Sequence, residues 1–314
     1  MMSIIRLKPA YKDFLWGGSK LKKDFGKEDY PGHVLAETWE LSCHPEGLTK
    51  IATGEYKGKT FKEYIEAAGP SVLGKNCERF DTFPIIIKFI DCHQNHSVKV
   101  HPGYEFAEGD TSGMGKVECW YILEALPNAG IYYGVDKDLS KEEFERRIRD
   151  NTLKKVLHFQ PVFPGEIYFV NPGTLHAIGA GVVAAEIQRD ADVSYRVYDF
   201  GRVAPDGNPR PLQISKAVQV SNLKAGMPEF DFGDDMVSCD SFTVDDVTFS
   251  GEKYLKPDGS TFHSLLIIDG EGIINDENIR LEFKKGDSLF VSADNGEYRL
   301  KGHGKALLTM IPPQ

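Results

Sequence analysis

The sequence has no long apolar segment and no surplus of positive charge. None of its 314 residues lies in a run of about 18 apolar residues, the least expected of a membrane-spanning helix. The formal net charge is −10 at pH 7, whereas proteins that bind nucleic acid or anionic membranes concentrate lysine and arginine on one face. We therefore expect neither a nucleic-acid nor a membrane partner. Because the first residues also lack the apolar segment of a secretory signal, we expect a cytoplasmic protein.

Cysteine is also scarce, and its positions do not fit a disulfide-stabilised protein. The five cysteines are an odd number, and no two of them have the CxxC spacing of a cysteine-rich structural zinc site. We therefore predict free thiols. The 41% of apolar residues is nevertheless enough to bury a sizeable core, in one large or two modest domains.

Short apolar segments, separated by glycine, proline, asparagine or aspartate, dominate much of the sequence. This spacing is typical of strands in a barrel or sandwich rather than of alternating strands and helices. The predicted strands lie at 83–90, 97–100, 118–123, 130–133, 166–170 and 182–188. The pattern therefore predicts an all-β protein.

Two helical insertions are predicted from capping boxes, in which a hydroxyl side chain is followed three residues later by glutamate. Thr60 and Glu63 form the first box, and Ser140 and Glu143 form the second. We expect the second helix to end or bend near Asn151. The insertions are predicted at about 60–69 and 140–158.

The composition changes near residue 225, where aspartate and glycine become frequent and a new series of short strands begins. We therefore divide the chain into a larger domain of residues 1–226 and a smaller β domain of residues 227–314.

Three motifs contain residues that can bind one metal ion. The motifs are VKVHP (98–102), GKVECW (115–120) and NPGTLHA (171–177), which contain His101, Glu118 and His176. Two imidazoles and one carboxylate are expected around a catalytic Zn²⁺ with an open position, although Fe, Mn and Co use similar sets. Glu118 lies in an otherwise apolar strand, where a carboxylate without a cation would be costly. We therefore predict one metal ion coordinated by residues from three strands.

The other histidines carry less weight. His93 and His96 lie in a polar turn, and we expect both on the surface. His158 has no identifiable partner. His263 and His303 lie 40 residues apart without a comparable motif, so we expect no metal in the second domain.

Longer motifs carry a resemblance to a known family. The sequence resembles the type I mannose-6-phosphate isomerases (phosphomannose isomerases) of the short bacterial form, members of the cupin superfamily. The segments that carry the resemblance are FLWGG (14–18), AETWELSCHP (36–45), FPIIIKFID (83–91), SVKVHP (97–102), GKVECWYIL (115–123), PGEIYFVNPGTLHAIGAGVVAAEIQ (164–188) and SYRVYDFGR (194–202). In addition, KKGDSLFVSA (284–293) resembles the second, non-catalytic cupin-like domain of these enzymes.

The resemblance implies two cupin-type jelly-roll barrels or sandwiches, with residues 1–226 as the catalytic domain. It implies an aldose–ketose isomerase that interconverts mannose 6-phosphate and fructose 6-phosphate through a cis-enediol, with one Zn²⁺ per chain on His101, Glu118 and His176. The family's fourth ligand is usually glutamine, at the position of Lys99 here. Because protonated lysine has donors and no acceptor, we expect Lys99 to contact substrate or solvent rather than the metal.

The resemblance also places charged residues in the pocket, namely Lys88, Lys116, Asp192 and Arg196. Lys116 is two residues before Glu118 and so faces the same side of a strand. The three cations are candidates for holding phosphate or the enediolate, and Asp192, Lys116 or a water on zinc for moving the proton. Further substrate contacts are expected from Ser97, Lys99, Trp16 and Glu37.

Two alternatives stay open. A catalytically silent cupin that binds sugar phosphates fits the departure at Lys99, and a cupin that uses Fe fits the metal ligands. Lys116, Asp192 and Arg196 favour an isomerase, because binding alone does not require acid and base groups. The expected partner is a phosphorylated hexose, and the chain is expected to be a monomer or a homodimer.

Overall fold

The computed structural model describes residues 4–103, 115–191, 193–204 and 206–314. The chain divides into two compact units. The terminal unit comprises residues 1–15, 19–90 and 232–314, and the central unit comprises residues 16–18 and 91–231. The domain boundary at residue 226 stays a prediction.

The helices are short, and their starts follow the local sequence. The α-helices are α1 (Lys20–Asp24), α2 (Phe61–Ala68), α3 (Lys141–Arg149) and α4 (Ile214–Val220), and 3₁₀ turns lie at Pro70–Val72, Lys75–Cys77 and Leu153–Val156. The capping box predicted for α2 is confirmed, since Thr60 Oγ1 accepts from Glu63 N at 3.2 Å and Glu63 Oε2 accepts from Thr60 N at 2.7 Å. None of the helices in the described residues has the length and hydropathy needed to cross a membrane.

The second predicted capping box forms only in part. Ser140 Oγ accepts from Glu143 N at 3.1 Å, but the Glu143 carboxylate pairs with Lys137 and Arg147 instead of the cap backbone. The Glu143 carboxylate is thus paired with two cations, one of them before the helix and one within it. The predicted end of this helix is confirmed, because α3 ends at Arg149 and Asn151 has a φ of 54°.

Strands make up most of the regular structure. In chain order they are β1 (Ile4–Lys8), β2 (Ala10–Lys12), β3 (Glu37–Leu41), β4 (Lys50–Ile51), β5 (Ile85–Cys92), β6 (Val98–Val100), β7 (Glu118–Ala125), β8 (Gly130–Val135), β9 (Leu157–Pro161), β10 (Ile167–Val170), β11 (His176–Ile178), β12 (Val182–Arg189), β13 (Tyr195–Tyr198), β14 (Val237–Ser238), β15 (Thr243–Leu255), β16 (His263–Asn275), β17 (Arg280–Lys284), β18 (Ser288–Val291) and β19 (Tyr298–Met310). The all-β prediction is confirmed. The prediction of thiols rather than disulfides is also confirmed, since none of the five cysteines, all of which lie among the described residues, forms a disulfide bond.

The central unit contains a five-stranded antiparallel sheet in the order β13–β6–β11–β8–β9, and strands paired in the order β10–β7–β12. Its core includes Val100, Phe144, Leu153, Ala177 and Val197. Alternation along the strands sends one set of side chains into this core and the other set to the opposite face.

The terminal unit contains an eight-stranded sheet in the order β14–β15–β19–β16–β18–β1–β4, with β17 paired to β16. Strands β15 and β19 pair over thirteen residues, from Thr243 opposite Met310 to Leu255 opposite Tyr298. Strands β2, β3 and β5 pair in that order. Ile4 packs into the same core as the C-terminal strands, so the first strand belongs structurally with the end of the chain.

Candidate metal centre

The structure brings the three predicted metal-binding residues together in the central unit. His101 follows β6, Glu118 begins β7 and His176 begins β11. His101 Nε2 lies 3.1 Å from Glu118 Oε2, and His176 Nε2 lies 3.4 Å from Glu118 Oε1. All three ligand atoms lie within 4.8 Å of one another, and the side chains are buried. One ion could therefore contact all three residues.

Local structure explains how the two histidines meet. The amide of Gly173 donates to the His101 carbonyl oxygen at 2.8 Å, which ties the turn before β11 to the end of β6. Gly173 has a φ of 84°, and a Cβ there would lie 3.0 Å from the Val220 carbonyl oxygen. The turn therefore requires glycine, and it delivers His176 to within 4.5 Å of the His101 ring, centroid to centroid.

Hydrogen bonds on the far side of each ring determine which nitrogen faces the site. His176 Nδ1 lies 2.8 Å from the Thr174 carbonyl oxygen, and His101 Nδ1 lies 3.2 Å from the Val193 carbonyl oxygen. Because a carbonyl only accepts, the contact with Thr174 places the proton on Nδ1 of His176; the contact with Val193 requires the same tautomer of His101, whose Nδ1 also lies 3.1 Å from the Ser194 hydroxyl oxygen. In that tautomer each neutral ring has its Nε2 lone pair on the side of Glu118, which is the form that binds a metal ion.

Burial keeps both rings neutral. It lowers the pKa of His101 to about 3, with help from the Lys116 ammonium, and it lowers the pKa of His176. Burial raises the pKa of Glu118, but a proton on His101 or His176 and the Lys116 ammonium each lower it, and the net direction is downward. Two lone pairs and a carboxylate thus converge on a buried point, an arrangement that a divalent cation stabilises. The donor set therefore fits a metal ion.

Lys116 lies beside these ligands. Its Nζ is 3.7 Å from Glu118 Oε2, and the side chain is buried, on the side expected from its spacing to Glu118. A buried ammonium next to a candidate metal-binding carboxylate is placed to stabilise negative charge on a bound molecule. Its catalytic role stays a prediction.

Lys99 reaches a histidine that was expected on the surface. Lys99 Nζ lies 3.1 Å from His96 Nε2, and the His96 side chain is buried. The surface prediction for His96 is therefore wrong, whereas His93 is exposed as expected. The His96 ring packs against the buried Trp16 ring, with 4.7 Å between centroids. Trp16 comes from a distant part of the sequence, so the polar turn alone could not reveal this burial.

A compact ionic cluster surrounds Ser97. Arg210 donates to both oxygens of the Asp199 carboxylate at 2.7 and 2.6 Å, and Arg202 donates to Asp199 Oδ1 at 2.6 Å. Ser97 Oγ donates to Asp199 Oδ1 at 2.9 Å and accepts from Arg210 at 2.8 Å. Burial raises the pKa of Asp199, but the bonds from Arg210, Arg202 and Ser97 hold it below its usual range. Sequence reasoning found Ser97 and missed the other three residues.

Arg196 lies next to this cluster and is half-buried. Burial lowers its pKa, as do Arg210 and Arg202, whereas Asp199 raises it. Its Nη1 donates to the Pro211 carbonyl oxygen at 3.2 Å, but its buried Nε has no hydrogen-bond partner among the described residues. The three arginines together exceed the single carboxylate by two positive charges. This surplus favours an anionic ligand.

Lys88 and Glu37 lie in the terminal unit and contact each other. Lys88 Nζ is 3.8 Å from Glu37 Oε2 and 4.9 Å from the centre of the Trp39 ring. Trp39 Nε1 donates to Glu37 Oε2 at 2.8 Å. The site roles predicted for Lys88 and Glu37 stay predictions. Asp192, the remaining predicted catalytic residue, lies outside the described residues.

Glu186 is a further buried carboxylate near the ligands that sequence reasoning did not single out. Its Oε2 accepts from Trp120 Nε1 at 3.0 Å, and the Trp120 ring packs edge-on against His176 with 5.6 Å between centroids. The pairing of β12 with β7 places Glu186 opposite Trp120. The sequence signal for this residue was a carboxylate in the otherwise largely apolar strand segment AAEIQ (184–188). Glu186 therefore supports the wall against which His176 rests.

Comparisons with known proteins agree with this architecture. Residues 4–116 match the family model "Phosphomannose isomerase type I, catalytic domain", and residues 234–311 match "Mannose-6-phosphate isomerase, cupin domain". The chain is 32% identical to the mannose-6-phosphate isomerase ManA of Bacillus subtilis over 97% of this chain and 98% of the relative. It is 36% identical to the mannose-6-phosphate isomerase of Streptococcus mutans over 68% of this chain and 66% of the relative.

A solved structure gives the same result. The crystal structure of the mannose 6-phosphate isomerase from Bacillus subtilis superposes with a TM-score of 0.88 at 32% identity, covering 98% of this chain and 99% of that one. The all-β prediction with cupin-type domains is thus confirmed. This chain belongs to the type I mannose-6-phosphate isomerase family, a family of isomerases.

Proposed function

We propose that the protein interconverts mannose 6-phosphate and fructose 6-phosphate, with about one Zn²⁺ per chain held by His101, Glu118 and His176. The observation that carries the proposal is the convergence of two Nε2 lone pairs and one carboxylate at a buried point beside Lys116. Family membership supports the reaction. Relatives with 32–36% identity over most or two thirds of the chain are named for it.

The donor set suits zinc, although Fe, Mn and Co use similar sets. Two neutral imidazoles and one carboxylate leave an open position on a four-coordinate ion, which is the usual arrangement of catalytic zinc. Bound there, a divalent ion supplies a Lewis acid for the two substrate oxygens that gain negative charge. The deep burial of Glu118 supports this, because its charge needs a permanent cation.

Isomerisation requires that a proton leave C2 of the aldose and return to C1, while a second proton passes from the O2 hydroxyl to O1. Lys116 is assigned to the charge that builds on these oxygens, because its buried ammonium lies 3.7 Å from Glu118 Oε2. The proton at carbon is assigned to Lys116 or Asp192, the latter from the family resemblance alone.

The arginine cluster is the proposed site for the phosphate group. Phosphate suits forked guanidinium donors, and Arg196, Arg202 and Arg210 exceed Asp199 by two charges. Arg196 Nε, which has no hydrogen-bond partner among the described residues, adds a donor, and the Ser97 hydroxyl holds Asp199 and Arg210 in place. This supports the earlier assignment of Ser97 and Arg196 to substrate binding and adds Arg202 and Arg210 to it.

A coupled assay on purified protein tests the reaction. Mannose 6-phosphate should be converted to fructose 6-phosphate, chelation should abolish turnover, and added Zn²⁺ should restore it. Arg210→Met should raise KM for mannose 6-phosphate, whereas Arg146→Met, on the exposed face of α3, should not. Binding of the sugar phosphate without any turnover would favour the silent cupin instead.

A further inference from the structure

Lys99 and His96 form a hydrogen bond in which the chemistry of the two groups determines the donor. An ammonium group has three donors and no acceptor, so at 3.1 Å Lys99 Nζ donates and His96 Nε2 accepts. Neutral imidazole has one acceptor nitrogen, and His96 uses it on the lysine. The acceptor for the Lys99 ammonium in this contact is therefore a neutral nitrogen rather than a carboxylate oxygen.

His96 is itself held in place. Its amide donates to the Ile178 carbonyl oxygen at 2.8 Å, which attaches it to β11, the strand that begins with His176. Its ring packs against Trp16, and the Trp16 carbonyl oxygen accepts from the amide of Gln94 at 2.9 Å, in the same turn. A buried, doubly anchored imidazole is a rigid acceptor, whereas an unanchored lysine loses more entropy when it is ordered.

The position of Lys99 in the sheet places its side chain between two parts of the proposed active site. On β6 it lies directly opposite His176 of β11 on one side and opposite Arg196 of β13 on the other. Directly opposed residues of antiparallel strands share a face, with Cβ atoms about 5 Å apart. Lys99 thus stands in a row between a metal-binding residue and an arginine of the proposed phosphate site.

We propose that His96 is a positioning residue that holds the Lys99 ammonium beside His101, Glu118 and His176 as a fixed binding group for the sugar phosphate, in place of a neutral fourth metal ligand. The inference rests on the proposed function. It gives a role to Lys99, which stands where the family usually has glutamine. Held by His96, the ammonium lies between the two ends of the substrate. It contacts substrate and transition state alike, so it lowers KM more than it raises kcat.

A double-mutant cycle tests this. His96→Phe keeps an aromatic ring against Trp16 and removes the acceptor, and Lys99→Met keeps the chain length and removes the charge. Each single variant should raise KM for mannose 6-phosphate by about tenfold, the loss of one charge-assisted hydrogen bond, with a much smaller change in kcat. The double variant should match Lys99→Met, because His96 acts through Lys99.

Three controls separate positioning from structure. His96→Gln retains a side-chain acceptor and should restore most of the affinity. His93→Phe changes an exposed histidine of the same turn and should leave KM at the wild-type value. Zinc content, measured by elemental analysis, should equal that of the wild type in every variant.

A direct signal comes from the imidazole itself. In the wild type the ¹⁵N shift of His96 Nε2 should be that of a hydrogen-bonded acceptor, and it should move in Lys99→Met. This measurement uses folded protein even if His96→Phe fails to fold. An unchanged shift would overturn the inference.

Other results would also overturn it: additive effects of the two substitutions, a wild-type KM in His96→Phe, or loss of zinc from Lys99→Met. Absence of turnover by the wild type would refute the proposed function alone. In that case the double-mutant cycle is measured with dissociation constants for fructose 6-phosphate. Additive effects of His96→Phe and Lys99→Met on these constants, or no binding by the wild type, would refute this inference.

Discussion

His176 donates a hydrogen bond of 2.8 Å from Nδ1 to the carbonyl oxygen of Thr174, and this bond makes Nε2 the nitrogen that faces Glu118. The same arrangement recurs at His101 with Val193. In both imidazoles Nε2 therefore lies on the side of the candidate metal site. Such outer hydrogen bonds also make a ring nitrogen a better ligand.

Replacing His176 with Ala should empty the metal site. With one imidazole removed, the buried Glu118 and His101 cannot complete the coordination of zinc. Elemental analysis should give about one zinc per chain in the wild type and far less in the variant. His158→Ala serves as the control, since His158 is partly exposed and pairs with Asp136 away from the ligands. Full zinc occupancy in His176→Ala would contradict the assignment.

Lys116→Ala should reduce turnover without removing the metal. Loss of a well-placed charge-stabilising or acid–base group should lower kcat/KM for mannose 6-phosphate by roughly 100-fold. Zinc content should stay near the wild-type value, because lysine is not a ligand. Lys137→Ala removes an exposed lysine and should have little effect. If Lys116→Ala keeps normal turnover, the residue has no catalytic role; if it loses both zinc and turnover, its role is structural.

Lys99→Gln should leave zinc affinity unchanged or increase it. A protonated lysine offers no lone pair, whereas a glutamine side-chain oxygen can coordinate. Competition with a chromophoric chelator measures the zinc dissociation constants of both proteins. Markedly weaker zinc binding by Lys99→Gln would indicate that Lys99 is itself a ligand.

His263 should affect stability at acidic pH and leave the metal content unchanged. Its Nδ1 lies 2.9 Å from the Tyr298 hydroxyl, and burial lowers its pKa to about 4. The unfolded chain, with a histidine pKa near 6.5, takes up this proton first as pH falls. The folded state should therefore lose about 3 kcal/mol of stability from this group between pH 6.5 and pH 4.

Urea unfolding of the wild type and of His263→Gln over this pH range tests the effect. The variant should lose less stability on acidification than the wild type, and both should contain about one zinc per chain. An identical pH dependence in the two proteins would contradict the role of His263. A lower zinc content in His263→Gln would indicate a second metal site in the terminal unit.

Local patterns were sufficient for several features. The order of apolar and turn residues predicted the all-β class, and Thr60 and Glu63 predicted the start of α2, because capping involves residues only three apart. The VHP, KxE and GTxHA motifs predicted which side chains converge. These motifs were sufficient because each one contains a single candidate ligand. Backbone carbonyl oxygens then orient the two histidines, that of Thr174 for His176 and that of Val193 for His101.

Long-range packing decided the rest. His96 looked like a surface residue until Trp16, eighty positions earlier, covered it, and Arg210 joined Asp199 and Ser97 only when separate segments met. The first strand pairs with β18 near the other end of the chain. Burial and charge pairing depend on which distant segments pack together, and no local pattern in one sequence encodes that choice. The motifs named the three candidate metal-binding residues, and the tertiary structure determined the charges that surround them.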